Sequence, residues 1–332
     1  MKAAIYNRYG AANVVKLVDV PTPEVKPTDI LVRLNASAVT AADSMIRQGM
    51  PRFGRLFLGL RGPKVTAMGT QFAGEVIKVG VDATKYAVGD RVFGETGLNF
   101  GAHAEFVSIA EDGLIAPIPD GLSYEDAAAL CDGPLTDMNF LGNLAQLQPG
   151  QHILINGASG SLGTAAVQLA KGFGAEVTGV CSTRNVAFVK SLGADHVIDY
   201  SKDDFTEHTA AYDVIYDTVG KSSFAAAKPA LTSNGIYISP VLGLGLLGQM
   251  LFGNMFRSKK AKFSATGMLP ITQQRPLLSD LLARIAKGDL KMIIDRRFSL
   301  DRVAEAHAYV DTGHKRGNVL LEMGQACLDC PT

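Results

Sequence analysis

The chain has 332 residues, enough for two domains of ordinary size. Lys plus Arg and Asp plus Glu each number 32, so no overall charge argues for nucleic acid or a membrane surface as a partner. A hydrophobic content of 47% with 35 glycines suits an α/β protein with many tight turns, not a disordered or fibrous one.

The N-terminus, Met1-Lys2-Ala3-Ala4-Ile5-Tyr6, runs directly into strand-like sequence and leaves no room for a signal peptide. Four cysteines (Cys131, Cys181, Cys327, Cys330) make no disulfide framework, so a reducing, cytoplasmic setting is expected. Strand candidates follow at 2–7, 14–20, 30–39, 73–79 and 91–93, divided by Pro21-x-Pro23 and Gly89-Asp90. Short strands with frequent turns predict a compact, partly closed barrel. Residues 41–47 predict a short helix. The segment 50–65 mixes Arg52, Arg55, Arg61 and Lys64 with Phe53, Leu56, Phe57, Leu58 and Leu60. By composition it reads as a surface loop whose Phe and Leu side chains pack on its own domain.

Residues 122–147 read as helical, with an alanine-rich stretch at 127–130. A strand–turn–helix–strand unit follows over 152–184. The apolar run 152–156 enters Gly157-Ala158-Ser159-Gly160-Ser161-Leu162-Gly163. Leu162, Ala165, Ala166, Leu169 and Ala170 then recur at helical spacing up to Gly172 and Gly174, and a second apolar run covers 176–181. Such a unit, roughly 30 residues long, has the size of a dinucleotide-binding βαβ module. Its glycines allow a tight turn close to a pyrophosphate, and the helix start offers unpaired N–H groups to the phosphate oxygens. The pattern Ala158-x-Gly160-x-x-Gly163 has Ala at the usual first glycine, with Gly157 before it.

An NAD site normally places an acid about 20 residues past the glycines to hold the ribose 2′-hydroxyl. Here that stretch reads Cys181-Ser182-Thr183-Arg184-Asn185, without an acid. Hydroxyls and a guanidinium suit a 2′-phosphate, which points to NADPH; Arg184 capping or solvating the next helix is the other reading. A short helix at 185–192 and strands at 196–199, 212–217 and 235–239 continue the alternation. Ligands in such sheets lie at the carboxyl ends of strands, so Val219, Gly220, Ser239 and Pro240 are candidates for the cofactor wall.

Residues 240–256 are apolar and Gly-rich, with Arg257, Lys259, Lys260 and Lys262 beyond them. They fall short of the roughly 20 needed to cross a bilayer, so no transmembrane segment is expected. Packing on a domain or a second subunit, or contact with a membrane surface, accounts for them. Residues 263–268 read as strand, 277–287 and 300–312 as helix. Cys327 and Cys330 form a C-x-x-C without the βαβ context or second ligand pair of a redox or metal motif, and read as a tail.

Val88-Gly89-Asp90-Arg91-Val92-Phe93-Gly94, Gly69-Thr70-Gln71-Phe72-Ala73-Gly74-Glu75-Val76, Gly101-Ala102-His103-Ala104-Glu105-Phe106, Asn35-Ala36-Ser37-Ala38-Val39-Thr40-Ala41-Ala42-Asp43 and Ser182-Thr183-Arg184-Asn185 carry a resemblance. From Met1 to about Met323 the chain resembles the medium-chain dehydrogenase/reductase superfamily, in its zinc-free quinone oxidoreductase branch. The resemblance implies a GroES-like β-barrel domain (1–122 and 264–332) around a Rossmann doubly wound parallel-sheet domain (123–263), and a homodimer. It also implies that the 50–65 segment runs beside the substrate entrance, where an apolar, basic lid would suit a flat hydrophobic substrate as an alternative to the surface loop, and that Arg316-Gly317-Asn318-Val319-Leu320-Leu321 is the final strand. Thr136 would lie on the helix passing the nicotinamide ribose, Tyr200 beside the 2′-phosphate with Ser182 and Arg184, and Asn318 at the nicotinamide end.

Zinc alcohol dehydrogenases carry Gly-His-Glu where this chain has Gly69-Thr70-Gln71, and a cysteine where it has Thr40. Neither Thr nor Gln is a zinc ligand of the usual kind, and the four-cysteine loop of a structural zinc is missing, so no metal is expected. The activity implied is hydride transfer from NADPH to an already electrophilic acceptor, a quinone or an α,β-unsaturated carbonyl. Some relatives place a tyrosine proton donor where this chain has Met45. Thr40, Asp43 and Arg47 remain as catalytic candidates, Asp43 ordering the turn or donating a proton and Arg47 as an electrostatic clamp, with water as another proton source. His103 is read as an exposed or core-edge histidine. An enoyl reductase, an alcohol dehydrogenase of the same superfamily, and a low-turnover NADPH-binding sensor are the other functional readings.

Overall fold

A computed structural model describes residues 1–250 and 258–324 and divides the chain into two units: Met1–Asp132 with the chain from Ile294 onward, and Gly133–Ile293.

The first unit is organised by the strand Asp29–Val39, whose 11 residues are buried almost throughout. It pairs antiparallel with Gln71–Val79, with Phe106–Ala110 and with Asn318–Glu322, the strand that returns from the far end of the chain. Register shifts at Leu31/Val32 and Leu34/Ala36 bend it, which lets one strand serve several neighbours. The seven-stranded sheet also takes in Ile294–Ser299, Arg91–Glu95 and Leu114–Pro117. Ile30, Val32, Leu34, Phe72, Val76 and Val92 fill its core. Three strands, Phe106–Ala110, Leu114–Pro117 and Ile294–Ser299, went unread in the sequence. Each is short; Phe106–Ala110 and Ile294–Ser299 carry polar or charged residues between their apolar ones, and Leu114–Pro117 is only four residues ending in a proline.

The second unit is a parallel six-stranded sheet in the order His196–Asp199, Glu176–Cys181, His152–Asn156, Tyr212–Asp217, Leu231–Ile238, Lys260–Lys262. The order reverses direction beside His152–Asn156, which defines a topological switch point at that strand's carboxyl end. Leu154, Val180, Ile215, Leu231 and Tyr237 form the core on one side. Ser161–Gly172 is the first crossover helix.

The unit boundaries differ from those read from the sequence. Tyr124–Ala128 packs on Asp29–Val39 and Gln71–Val79 and so belongs to the barrel unit, while Ile271–Ala286 packs on Gly133–Asp137 and belongs to the nucleotide unit. The long helix expected over 122–147 is interrupted, Tyr124–Ala128 giving way to Gly133–Asp137 and a wider, π-helical Met138–Leu144. Residues 263–268 are not a strand: the edge strand ends at Lys262 and Thr266–Met268 is a 3-10 turn. Cys327 and Cys330, and 251–256 of the apolar segment, lie outside the described residues. Among the described residues no helix is long and apolar enough to cross a membrane.

Candidate functional site

The glycine turn sits at the switch point. Gly157, at the end of His152–Asn156, has φ +86°, and a Cβ there would meet Thr218 Oγ1 and Val219 Cγ1 at 2.7 Å. Gly157 therefore does the work of the motif's first glycine, and Ala158 is fully buried behind it. Gly163 brings helix and strand together: a Cβ there would lie 2.1 Å from the Gly157 carbonyl oxygen. Gly160 precedes Ser161–Gly172, and no side chain caps this helix, so its first amides remain for an anionic ligand. Ser161 is buried and Leu162 half-buried in the first turn. Thr136 is half-buried on Gly133–Asp137, a helix that packs against Ser161–Gly172.

The end of the second strand closes this cradle. Asn185 donates Nδ2–H to Ser159 Oγ at 3.0 Å and is 4% exposed, with Oδ1 buried and lacking a donor. Ser182 is half-buried and Arg184 exposed beside it. The Tyr200 amide donates to the Cys181 carbonyl at 3.1 Å, so Tyr200 lies alongside the strand end with its ring mostly in water. Asp199, unread in the sequence, is the acid of this region. Thr183 Oγ1 donates to its Oδ2 at 2.6 Å and Ser201 Oγ to its Oδ1 at 2.7 Å, and these hydroxyls hold the carboxyl down to about 2.

Asp217 organises the opposite side. It is fully buried and accepts hydrogen bonds from Asn156 Nδ2, from the Val219, Gly220 and Ser222 amides and from the Tyr237 hydroxyl. This fixes the loop that carries Val219, whose side chain is 44% exposed. Ser239 is turned inward: the residue is 1% exposed and its hydroxyl donates to the Asp217 carbonyl at 2.8 Å, joining two strand ends. The open backbone cradle, the uncapped helix start and the orphaned Asn185 Oδ1 all fit a dinucleotide.

In the barrel unit, two catalytic candidates turn out to build a helix start. Thr40 caps Ala41–Gln48: its hydroxyl accepts from the Asp43 amide at 3.0 Å, while Asp43 Oδ2 accepts from the Thr40 amide and hydroxyl at 2.9 and 2.7 Å. Arg47 is engaged within the barrel unit. Its guanidinium is fully buried and donates to both carboxylate oxygens of Asp311, at 2.6 and 2.7 Å, and to the Gly10 carbonyl at 2.6 Å. His103 is neither exposed nor at the core edge. It is 0% exposed, bonds the Ala38 carbonyl through Nε2 at 3.0 Å and meets His307 edge-on at 5.3 Å. Asn318 is buried at the start of the final strand of this same unit.

The barrel also holds a titratable group that the sequence did not reveal. Glu95 pairs in register with Gln71, and Gln71 hydrogen-bonds Asp132, with Lys315 and Asp43 completing the field around it. Burial, reinforced by Asp132 and Asp43, pushes Glu95 up to about 8. Burial pushes Asp132 up to about 6 against the opposing pull of Lys315, and brings Lys315 down to about 8. Gln71 is 2% exposed and its Oε1 has no donor. Three groups able to exchange a proton near neutral pH thus lie within electrostatic reach of one another in the barrel unit.

Comparison with known proteins decides the family. Two family models match, one described as alcohol dehydrogenase GroES-like domain over residues 26–120 and one as zinc-binding dehydrogenase over 192–321. A chloroplast envelope quinone oxidoreductase homolog of Arabidopsis thaliana is 32% identical, covering 97% of this chain and 98% of the relative. The chain belongs to the medium-chain dehydrogenase/reductase superfamily, in its quinone oxidoreductase-like branch. It is an oxidoreductase with the GroES-like and Rossmann-type units of that branch. A 2-methylene-furan-3-one reductase of Solanum lycopersicum is likewise 32% identical, over 97% of this chain and 79% of the relative. The solved quinone oxidoreductase of Coxiella burnetii superposes with a TM-score of 0.84 at 29% identity, over 97% of this chain and 99% of that one.

The zinc in one family model's description does not fit the donors of this quinone oxidoreductase-like chain. At the catalytic ligand positions stand the Thr40 hydroxyl, committed to Asp43, and the Thr70-Gln71 hydroxyl and amide, none of which is a usual zinc donor.

Proposed function

We propose that this oxidoreductase transfers hydride from NADPH to a quinone or an α,β-unsaturated carbonyl without zinc. The observation that carries the reading is the cradle at the switch point: Gly157, Gly160 and Gly163 at an uncapped helix start, with Ser182, Arg184 and Asn185 at the neighbouring strand end. The helix amides and Ser161 hold the pyrophosphate, and the Ser182 hydroxyl, Arg184 guanidinium and Tyr200 flank the 2′-phosphate. Asp199 stays ionised beside that phosphate, its oxygens bonded by Thr183 and Ser201, and Lys202 at 3.4 Å offsets part of its charge. Thr136 and Val219 complete the contacts that the nucleotide unit makes to the cofactor. Once bound, NADPH supplies a hydride from C4 of its nicotinamide.

Lacking a metal to polarise a carbonyl, the site calls for an acceptor that is already conjugated. Glu95, Asp132 and Lys315, pushed towards neutrality by burial, are the proton-exchanging groups that the barrel unit itself offers. Thr40 and Asp43 position the helix beside those groups instead of donating themselves. The names of the relatives span quinone and enone-type reductases, which supports the acceptor class. The test is oxidation of NADPH and of NADH with a quinone, an enone and a simple ketone, each with and without a zinc chelator. Chelator-insensitive turnover of the quinone or enone with NADPH is expected; chelator-sensitive turnover of the ketone overturns the zinc-free reading, and NADPH binding without any reduction favours a sensor.

A further inference from the structure

Five large apolar side chains of one short segment face water. Met50 is 45% exposed, Phe53 44%, Leu56 64%, Phe57 76% and Leu60 69%. Isolated exposed apolar residues need no explanation, but a contiguous set does.

The segment is a built platform. Arg52–Gly54 forms a 3-10 turn and Arg55–Leu58 a helical turn. Arg55 donates to the Gly49 and Gln48 carbonyls at 3.0 and 3.2 Å and stacks its guanidinium over the Tyr9 ring at 4.6 Å. The Tyr9 hydroxyl in turn donates to the Gly59 carbonyl at 2.7 Å, and the Lys64 amide to the Leu58 carbonyl at 2.8 Å. These bonds hold the backbone so that the apolar tips point away from the barrel. Around them Arg52, Arg61 and Lys64 are exposed, as is Arg8 in the bend that follows the strand Lys2–Ile5. No Asp or Glu occurs from Ser44 to Gly74.

We propose that this platform docks the protein onto an anionic lipid surface, with Phe57, Leu56 and Leu60 entering the headgroup–acyl boundary and Arg52, Arg61 and Lys64 meeting lipid phosphates. An anionic bilayer offers negative charge at its face and apolar depth beneath, the two properties the platform presents together. A second copy of the chain does not. Symmetric self-association through this segment would set Arg52, Arg61 and Lys64 against themselves with no carboxylate of the segment to pair them. The inference stands apart from the reductase reading, because its readout is binding and not turnover.

The experiment is sedimentation of the full chain with vesicles of equimolar phosphatidylglycerol and phosphatidylcholine, and with phosphatidylcholine alone. Binding to the anionic vesicles that weakens with salt is expected, with little binding to the neutral ones. Each basic residue near such a surface contributes roughly fivefold to partitioning, so the triple variant Arg52→Glu, Arg61→Glu, Lys64→Glu, which also adds repulsion, should lose at least about 100-fold. The double variant Phe57→Ser, Leu60→Ser tests the apolar part and should also bind weakly. All five sites are exposed, and unchanged thermal unfolding of both variants confirms that the fold is intact. No binding by the unaltered chain, or binding that both variants retain, overturns the proposal. So does a change of oligomeric state in the variants with vesicle binding unaltered, which would make the platform an interface between copies.

Discussion

The Arg47 guanidinium, with no exposed surface, grips both carboxylate oxygens of Asp311 across 264 positions of sequence. The pair ties the helix Ala41–Gln48 to the helix Val303–Asp311 and so joins the two ends of the chain in one barrel unit. Asp311→Ala would leave a buried, unpaired cation. The expected cost is about 2 kcal/mol in urea unfolding, reduced from a fully buried pair because the Asp311 side chain is 23% exposed. The activity of the folded fraction should hold. Unchanged stability with a collapse in kcat would restore Arg47 to the substrate side.

Gly163→Ala places a methyl against the Gly157 carbonyl, 2.1 Å from where it would sit. Either the helix moves away from the strand or the turn opens, and both misplace the amides that face the pyrophosphate. NADPH affinity should fall by on the order of tenfold or more. A fluorescence titration of NADPH measures it, with far-ultraviolet dichroism to show that the sheet survives.

Arg184→Ala removes the exposed cation at the end of Glu176–Cys181. A lost charge-assisted contact to a 2′-phosphate should raise KM for NADPH on the order of 10- to 100-fold and leave KM for NADH nearly alone. Equal effects on both cofactors would mean that Arg184 shapes the turn and does not read the phosphate.

Glu95 titrates at about 8 in the fold against an ordinary 4.5, so the folded state holds its proton where the unfolded chain has lost it. Stability therefore declines as pH rises from about 4.5 to 8 and stays reduced above. Glu95→Gln should match the parent at pH 4.5 and exceed it by on the order of 2 kcal/mol at pH 8.5. If Glu95 also serves the proton transfer, the alkaline limb of the kcat profile disappears in the same variant while NADPH affinity stays put.

His307 behaves in the opposite sense. Burial, helped by His103 and Arg47, keeps it neutral well below its ordinary 6.5, and neither ring nitrogen has a hydrogen-bond partner. The unfolded chain gains a proton below pH 6.5 that the fold refuses, so stability drops on acidification from that point. His307→Leu should flatten this part of the pH–stability curve, as read by thermal unfolding between pH 5 and 7. A curve of unchanged slope would assign the acid sensitivity to other groups.

These residues mark where sequence reading succeeds and where it stops. The glycine turn was legible because each glycine answers to backbone a few residues away, and only the shift of the first role to Gly157 needed coordinates. Thr40 and Asp43 form a Thr-x-x-Asp step before a helix, a local capping signal that the sequence does contain. Arg47 was not legible, because its meaning is set by Asp311 at the other end of the chain. The Glu95, Asp132 and Lys315 group is likewise assembled from three remote segments, and each acid or base alone reads as surface charge. Ser239 lies at a strand end, but its hydroxyl turns inward to Asp217, a distinction that strand-end logic does not make.

The most direct test of the account is reduction of an enone with NADPH deuterated at the transferable C4 position, in the presence of a zinc chelator, followed by mass analysis of the product. The account predicts a saturated ketone carrying one deuterium on the former β-carbon, with NADH far less effective. An allylic alcohol bearing deuterium at the carbonyl carbon, formed only without the chelator, would contradict it.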